Sequence, residues 1–162
     1  TIVIATNHPT LSGNQSNQLT NAPDISETAI EDMVIQIMGT TNNRGLLISN
    51  LPQSLIVPRS LWFESERIVK SVLQNDTANN AVNVIRAAGI FPKGIVLNHY
   101  FQSQTAWFIR TNIPNGLTYF EREAPSFDID NDFDTKNAKA MMYMRFSSFW
   151  TDWRQLFGTP GI

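Results

Sequence analysis

Apolar side chains recur at Ala29, Ile30, Met33, Val34, Ile37 and Met38, the three- and four-residue spacing that gives an α-helix one apolar stripe. Gly39 supplies a stop. At the other end Asp24, three residues before Glu27, and Ser26 compete to cap the first turn. The run Ser54-Leu-Ile-Val57 is short and continuous, which predicts a buried strand closed by Pro58, whose nitrogen cannot donate to a ladder. A second helix is predicted with Ser60 as its cap and Leu61, Trp62, Ile68, Val69, Val72 and Leu73 as its apolar set. Glu66 stands four residues before Lys70, the favourable order for an ion pair. This helix should end near Gln74.

Residues 6–23 carry turn formers at nearly every step and no sustained period, so an irregular loop is predicted there. Residues 75–94 predict a prominent loop with one or two helical turns, Ala81, Val82, Ile85 and Ala88 sharing one side. Four strands follow, over Ile95–Tyr100, Thr105–Thr111, Leu117–Glu123 and Ala138–Ser147. The last alternates cleanly: Ala138, Ala140, Met142, Met144 and Phe146 fall on one face, Lys139, Met141, Tyr143, Arg145 and Ser147 on the other. An order of loop, helix, strand, helix and then mostly strands argues for the α+β class over a regular βαβ array.

A length of 162 residues suits one domain and is enough to build a core without a metal or disulfide staple. Only 16% of residues are charged, below the roughly 25% usual for globular domains, and the polar share is largely Asn, Gln, Ser and Thr. Such a surface favours burial against neighbours. A formal charge of −2 and the lack of a Lys/Arg run leave little for counterion release to act on, so no direct grip on nucleic acid is expected. Cysteine is absent, which removes disulfides, thiol nucleophiles and Cys-ligated zinc. No apolar run approaches the ~20 residues of a membrane-crossing helix, and no membrane partner is expected. Opening at Thr1 on what reads as the end of a strand, the chain is expected to be a fragment or a processed product.

Candidate chemistry is sparse. Asp128, Asp130, Asp132 and Asp134 alternate, but a calcium loop starting at Asp128 needs Gly sixth and Glu twelfth, where Phe133 and Lys139 stand; a solvated acidic turn is expected instead. His8 and His99 are the only histidines, and neither has a second ligand at metal spacing. A triad around His99 lacks a Gly-x-Ser-x-Gly elbow to present its nucleophile. No glycine-rich phosphate loop occurs. Cofactors and metals are therefore not expected.

The largest apolar investment is aromatic: Trp62, Trp107, Trp150 and Trp153 with Phe146, Phe149 and Phe157. Trp150 and Trp153, interleaved with Asp152 and Arg154, suit either a core or an interface, where Trp and Arg are enriched. Glu121-Arg122-Glu123 is expected to put two carboxylates on one strand face and a guanidinium on the other. Charge pairing with a neighbouring strand or subunit is its expected role.

Several segments, in shared order, resemble the major capsid proteins of tailed bacteriophages with the Hong Kong 97-like fold, especially the Mu-like major head subunit. They are Thr6-Asn-His-Pro with Gly13 and Ser16-Asn17; Ile25-Ser-Glu-Thr-Ala-Ile-Glu; Asn43-Arg-Gly; and Ser54-Leu-Ile-Val-Pro-Arg-Ser-Leu-Trp-Phe-Glu. Toward the C-terminus come Ala106-Trp-Phe-Ile, Tyr119-Phe-Glu-Arg-Glu-Ala-Pro and Arg145-Phe-Ser-Ser-Phe-Trp-Thr-Asp-Trp-Arg-Gln-Leu-Phe-Gly. The family's N-terminal arm, extended hairpin loop and long spine helix have no counterpart in this reading.

The resemblance implies a loop region of the peripheral domain over residues 1–25, an axial domain with a mixed sheet and flanking helices over 26–116, and returning peripheral strands over 117–162. It implies a structural head protein, not an enzyme, whose copies form pentamers and hexamers of an icosahedral shell around double-stranded DNA without specific binding. The shell would be assembled in the bacterial host cytoplasm and would belong to the virion. Scaffolding, portal or decoration proteins are the implied partners. Asn75, Asp76, Asn79 and Asn80 would lie on the axial tip loop, within Val72–Gly94, and Glu121, Arg122, Glu123, Trp150, Trp153 and Arg154 would lie at subunit interfaces. Two alternatives stand beside this: a small hydrolase using His99, and a monomeric binding module using Trp150 and Trp153.

Overall fold

Ser26 caps the first helix, its hydroxyl accepting from the Ala29 amide at 3.1 Å. The computed structural model describes residues 3–74, 81–131 and 134–161, and the chain folds as two units. The first comprises Thr1–Gly116 with Asp152–Ile162, the second Leu117–Thr151.

In the first unit, α1 (Glu27–Met38) buries Ala29, Ile30, Met33, Val34 and Ile37, the predicted stripe except for Met38, which is half exposed. The residues 6–23 are not wholly irregular. They contain a small hairpin of β1 (His8–Thr10) and β2 (Gly13–Gln15), paired antiparallel. Three-residue polar strands leave no period to read. Gly13 adopts φ +114°, a conformation open to glycine.

The strands β3 (Pro52–Pro58), β4 (Ile95–Asn98), β5 (Trp107–Thr111) and β8 (Leu156–Thr159) form one sheet in the order β4-β3-β5-β8. The β3–β4 pair is parallel and the others antiparallel, which gives the mixed sheet of an α+β protein. Register sets Leu55 against Ile109 and Ile109 against Phe157. These three, with Val57 and Trp107, are fully buried, and α1 packs near β8. The Trp107 indole nitrogen donates to the Pro23 carbonyl at 3.1 Å, so the largest core ring also holds the chain entering α1.

The crossover from β3 to β4 carries α2 (Trp62–Lys70) and α3 (Val84–Ala87). Both ends of α2 depart from the expected positions. Ser60 does not cap α2; its hydroxyl donates to the Gln104 carbonyl at 2.6 Å, and Leu61 occupies the cap position with no side-chain bond. The helix stops at Lys70, short of Gln74, because Ser71 is extended. Trp62 and Phe63 are exposed, and only Ser65 of α2 is buried. The Glu66–Lys70 ion pair forms as expected, at 2.6 Å. Asn83 ties the two helices: its amide nitrogen donates to the Ile68 carbonyl at 2.6 Å, and its oxygen accepts from the Arg86 amide at the start of α3.

Gly158 faces Phe108 across the β5–β8 pair. A methyl group there would press on the Phe108 ring and the Trp107 carbonyl, both backed by the sheet. Gly158→Ala is expected to lower stability by about 1–3 kcal/mol, measured by urea denaturation; a midpoint equal to the parent's would contradict this packing.

The second unit is a long two-stranded ribbon, β6 (Leu117–Asn131) and β7 (Ala138–Trp150), paired antiparallel. Both strands exceed their predicted spans. β6 runs through Asp128 and Asp130, so the acidic segment read as a turn is strand for its first half. Asp132 lies outside the described residues.

Candidate subunit interface

The ribbon's faces follow from its register. Leu117 pairs with Trp150, Tyr119 with Ser148, Phe127 with Met142, Ile129 with Ala140 and Asn131 with Ala138, and directly opposed residues project to the same side. Phe146 and Met144 share that side by alternation along β7. The result is a nearly continuous apolar face at least 40 Å long by strand rise. The opposite face is mixed: it carries Glu123 opposite Arg145, Asp130 opposite Lys139 and Ser126 opposite Tyr143, together with Phe120, Met141 and Phe149.

β6 contains two irregularities that cancel, so Leu117, Tyr119, Phe127 and Ile129 share one side as in an unbroken strand, while Phe120 points to the other. Register shifts lie between Glu121 and Glu123 and again between Glu123 and Ser126. The first puts Glu121 opposite Phe146 and Glu123 opposite Arg145, which are neighbours on β7 and point to opposite sides. The expected pair of carboxylates on one face is thus undone by one extra residue, Arg122. Both carboxylates are exposed.

Little covers the apolar side. Tyr119, Phe127, Ile129, Met142 and Phe146 all remain more than half exposed. Aromatic contacts within the ribbon are diagonal, one on each face: Tyr119 with Phe146 at 5.6 Å on the apolar side and Phe120 with Phe149 at 5.0 Å on the other. An isolated two-stranded hairpin is marginal in water. Contiguous exposed apolar surface of this size marks a contact site.

The other expected interface residues divide between the units. Trp150 ends β7 and is half-buried. Trp153 and Arg154 lie in a short 3₁₀ turn, Trp153–Gln155, and are buried within the first unit. The Trp153 ring stacks on His8 with centroids 4.4 Å apart and planes 3° from parallel, while the Arg154 guanidinium lies 4.4 Å from its centroid. Arg154 also donates from Nε to the Thr41 carbonyl at 2.9 Å, from one terminal nitrogen to the Asn43 side chain at 2.9 Å, and pairs with Asp152 at 3.3 Å. It holds the segment after α1 and the C-terminal segment together.

Asn17, part of a resemblance segment, has a structural role that the sequence did not assign. Fully buried, its oxygen accepts from the Ala5 amide at 2.9 Å and meets His8 Nε2 at 3.0 Å. Its nitrogen donates to the Val3 and Leu156 carbonyls at 2.8 and 2.7 Å. With the amide so oriented, His8 Nε2 carries the hydrogen.

His99 is exposed just beyond β4, and no bond from it to a carboxylate or hydroxyl is found among the described residues. The described residues likewise contain no group of three or more His, Asp or Glu placed to hold a metal ion. Asn75, Asp76, Asn79 and Asn80, the expected tip-loop residues, lie outside the described residues.

The chain belongs to the phage capsid protein family, whose model matches residues 1–157. The crystal structure of a virus-like particle from Pyrococcus furiosus is similar to it with a TM-score of 0.47 and 13% identity, over 88% of this chain and 54% of that one. The chain therefore spans about half the length of that subunit. A comparison with curated proteins finds no match.

Proposed function

We propose that this chain is the shell-forming part of a major head protein with the Hong Kong 97-like arrangement, copies of which close into pentamers and hexamers of an icosahedral capsid around double-stranded DNA. The observation that carries the reading is the apolar side of the β6–β7 ribbon, exposed from Leu117 to Ile129 and buried, in this reading, within the assembled particle. Closed shells need repeated ring-closing or self-complementary contacts, and a sparsely charged surface lowers the desolvation cost of making them. The segment from Val72 to Gly94 would surround each ring's centre. Assembly would take place in the bacterial host cytoplasm, with scaffolding, portal or decoration proteins as accessory partners and with the DNA held by enclosure, without sequence-specific contacts.

Negative-stain electron microscopy of the concentrated protein tests this. Uniform closed particles containing the chain are the expected result. A monodisperse monomer under every assembly condition would overturn the proposal.

A further inference from the structure

The two outer edges of the ribbon differ. β6 is interrupted by two register shifts, contains Pro125 and carries Glu121, Arg122, Glu123, Asp128 and Asp130. These are the devices that keep an edge from pairing. β7 has thirteen residues with neither Gly nor Pro, and its only charges are Lys139 and Arg145. Among the described residues its outer edge meets no other strand. One edge of the ribbon is blunted and the other is an open template.

We propose that this β7 edge pairs antiparallel, about a two-fold axis, with the β7 edge of a second copy, with Met144 opposite Met144. The occupant rests on the capsid reading above; the register comes from β7 itself. Pairing must match side chains on the same face and backbone groups that point outward, and both alternate every second residue. Only registers that set odd positions against odd and even against even satisfy both.

Among these, the Met144-centred register pairs all thirteen residues. It sets Arg145 opposite Tyr143 of the second copy and Lys139 opposite Phe149 of the second copy, twice each by symmetry, so both cations meet aromatic rings. On the other side Phe146 meets Met142 and Trp150 meets Ala138. The apolar faces of two ribbons then join into one four-stranded surface. Moving the centre to Arg145 would set two guanidinium groups against each other. Moving it to Tyr143 would leave Phe149 and Trp150 without mates.

The chain contains no cysteine, so single-cysteine variants report cleanly. In the proposed register the two Cα atoms at position 144 are about 4.5–5.5 Å apart, within disulfide reach. Position 142 lies four residues from its own symmetry mate, roughly 13 Å along the strand. Met144→Cys is expected to give at least tenfold more disulfide-linked dimer than Met142→Cys on oxidation under assembly conditions. No cross-link at position 144, or equal cross-linking at both, overturns the pairing; β7 docking on the β6 edge of another copy would give that result.

Met144 is exposed, and a second pair of variants avoids dependence on thiol chemistry. Tyr143→Lys, which faces Arg145 twice, should weaken dimerisation about tenfold, whereas Tyr143→Glu should preserve it. Equal effects of the two would count against the register. Microscopy of the same samples separates the readings: shells without the cross-link remove the edge pairing alone, cross-linked dimers without shells remove the capsid reading alone, and neither product removes both.

Discussion

Trp153→Ala is expected to destabilise the first unit by about 3–5 kcal/mol, the range for deleting a large buried aromatic. That is a large fraction of the roughly 5–15 kcal/mol that holds a domain folded. Three features place the residue at the upper end of mutational effects. It is buried, it stacks face to face on His8, and it lies beneath the Arg154 guanidinium. Removing the indole leaves a cavity beside Phe157, whose ring centroid is 6.2 Å away. It also strips a buried cation of its aromatic surface, a contact worth about 0.5–2 kcal/mol. Urea denaturation followed by circular dichroism reads the loss directly. Trp153→Phe, which keeps a ring for both neighbours, should recover most of it. A Trp153→Ala protein within about 1 kcal/mol of the parent, the typical effect of an arbitrary substitution, would show that the stack carries no such weight.

The same residue shows how far the sequence could be read. Trp150 and Trp153 are three apart and looked like one face, yet they fall in different units because the chain leaves the ribbon at Thr151 and re-enters the first unit at Asp152. The turn is marked locally: the Asp152 carboxylate accepts from the Arg154 amide at 2.9 Å, a cap visible in the sequence once the strand end is known. The other partners of Arg154 are not. Thr41, Asn43 and Gln15 are more than 100 residues away from it in sequence, and nothing local predicts that they converge.

Elements with a strong private pattern were legible. α1 had a stripe, a cap and a stop, and β3, β5 and β7 had their runs or alternation. What failed had either no pattern or two. The β1–β2 hairpin is too short and polar to show one. α2 has a helical period, but in the described chain its Trp62 and Phe63 are exposed, so periodicity found the helix without finding what covers it. In β6, Phe127 and Ile129 alternate with Asp128 and Asp130, the period-two signature of a strand, while the same acidic residues suggest a turn. The hydrophobic half of the pattern prevails because it extends the apolar face begun at Leu117. The Arg122 bulge is the least legible feature, since one extra residue sends Glu121 and Glu123 to opposite sides.

Phe146→Asp is expected to abolish particle formation while leaving the first unit's stability unchanged. Phe146 is 56% exposed on the apolar side of the ribbon, opposite Glu121 and stacked diagonally on Tyr119. Outside an assembly, a carboxylate there replaces a solvent-exposed ring and has little to disrupt. Once that side is covered, a second carboxylate stands beside Glu121 in a desolvated contact with no cation on the same face, and truncated or unpaired charge at such a position costs about 2–5 kcal/mol. At 1.4 kcal/mol per factor of ten, the concentration needed for assembly rises by about 30-fold or more for each contact. Every copy in a shell carries the defect. Ser147→Asp is the matched control, one residue along and on the opposite side of β7, where added charge stays near Arg145 and should leave particle yield intact. Sedimentation at graded protein concentration separates the cases. Loss of particles in both variants would mean that both sides of the ribbon are buried, and normal particles from Phe146→Asp would mean that the apolar side is not the surface on which assembly depends.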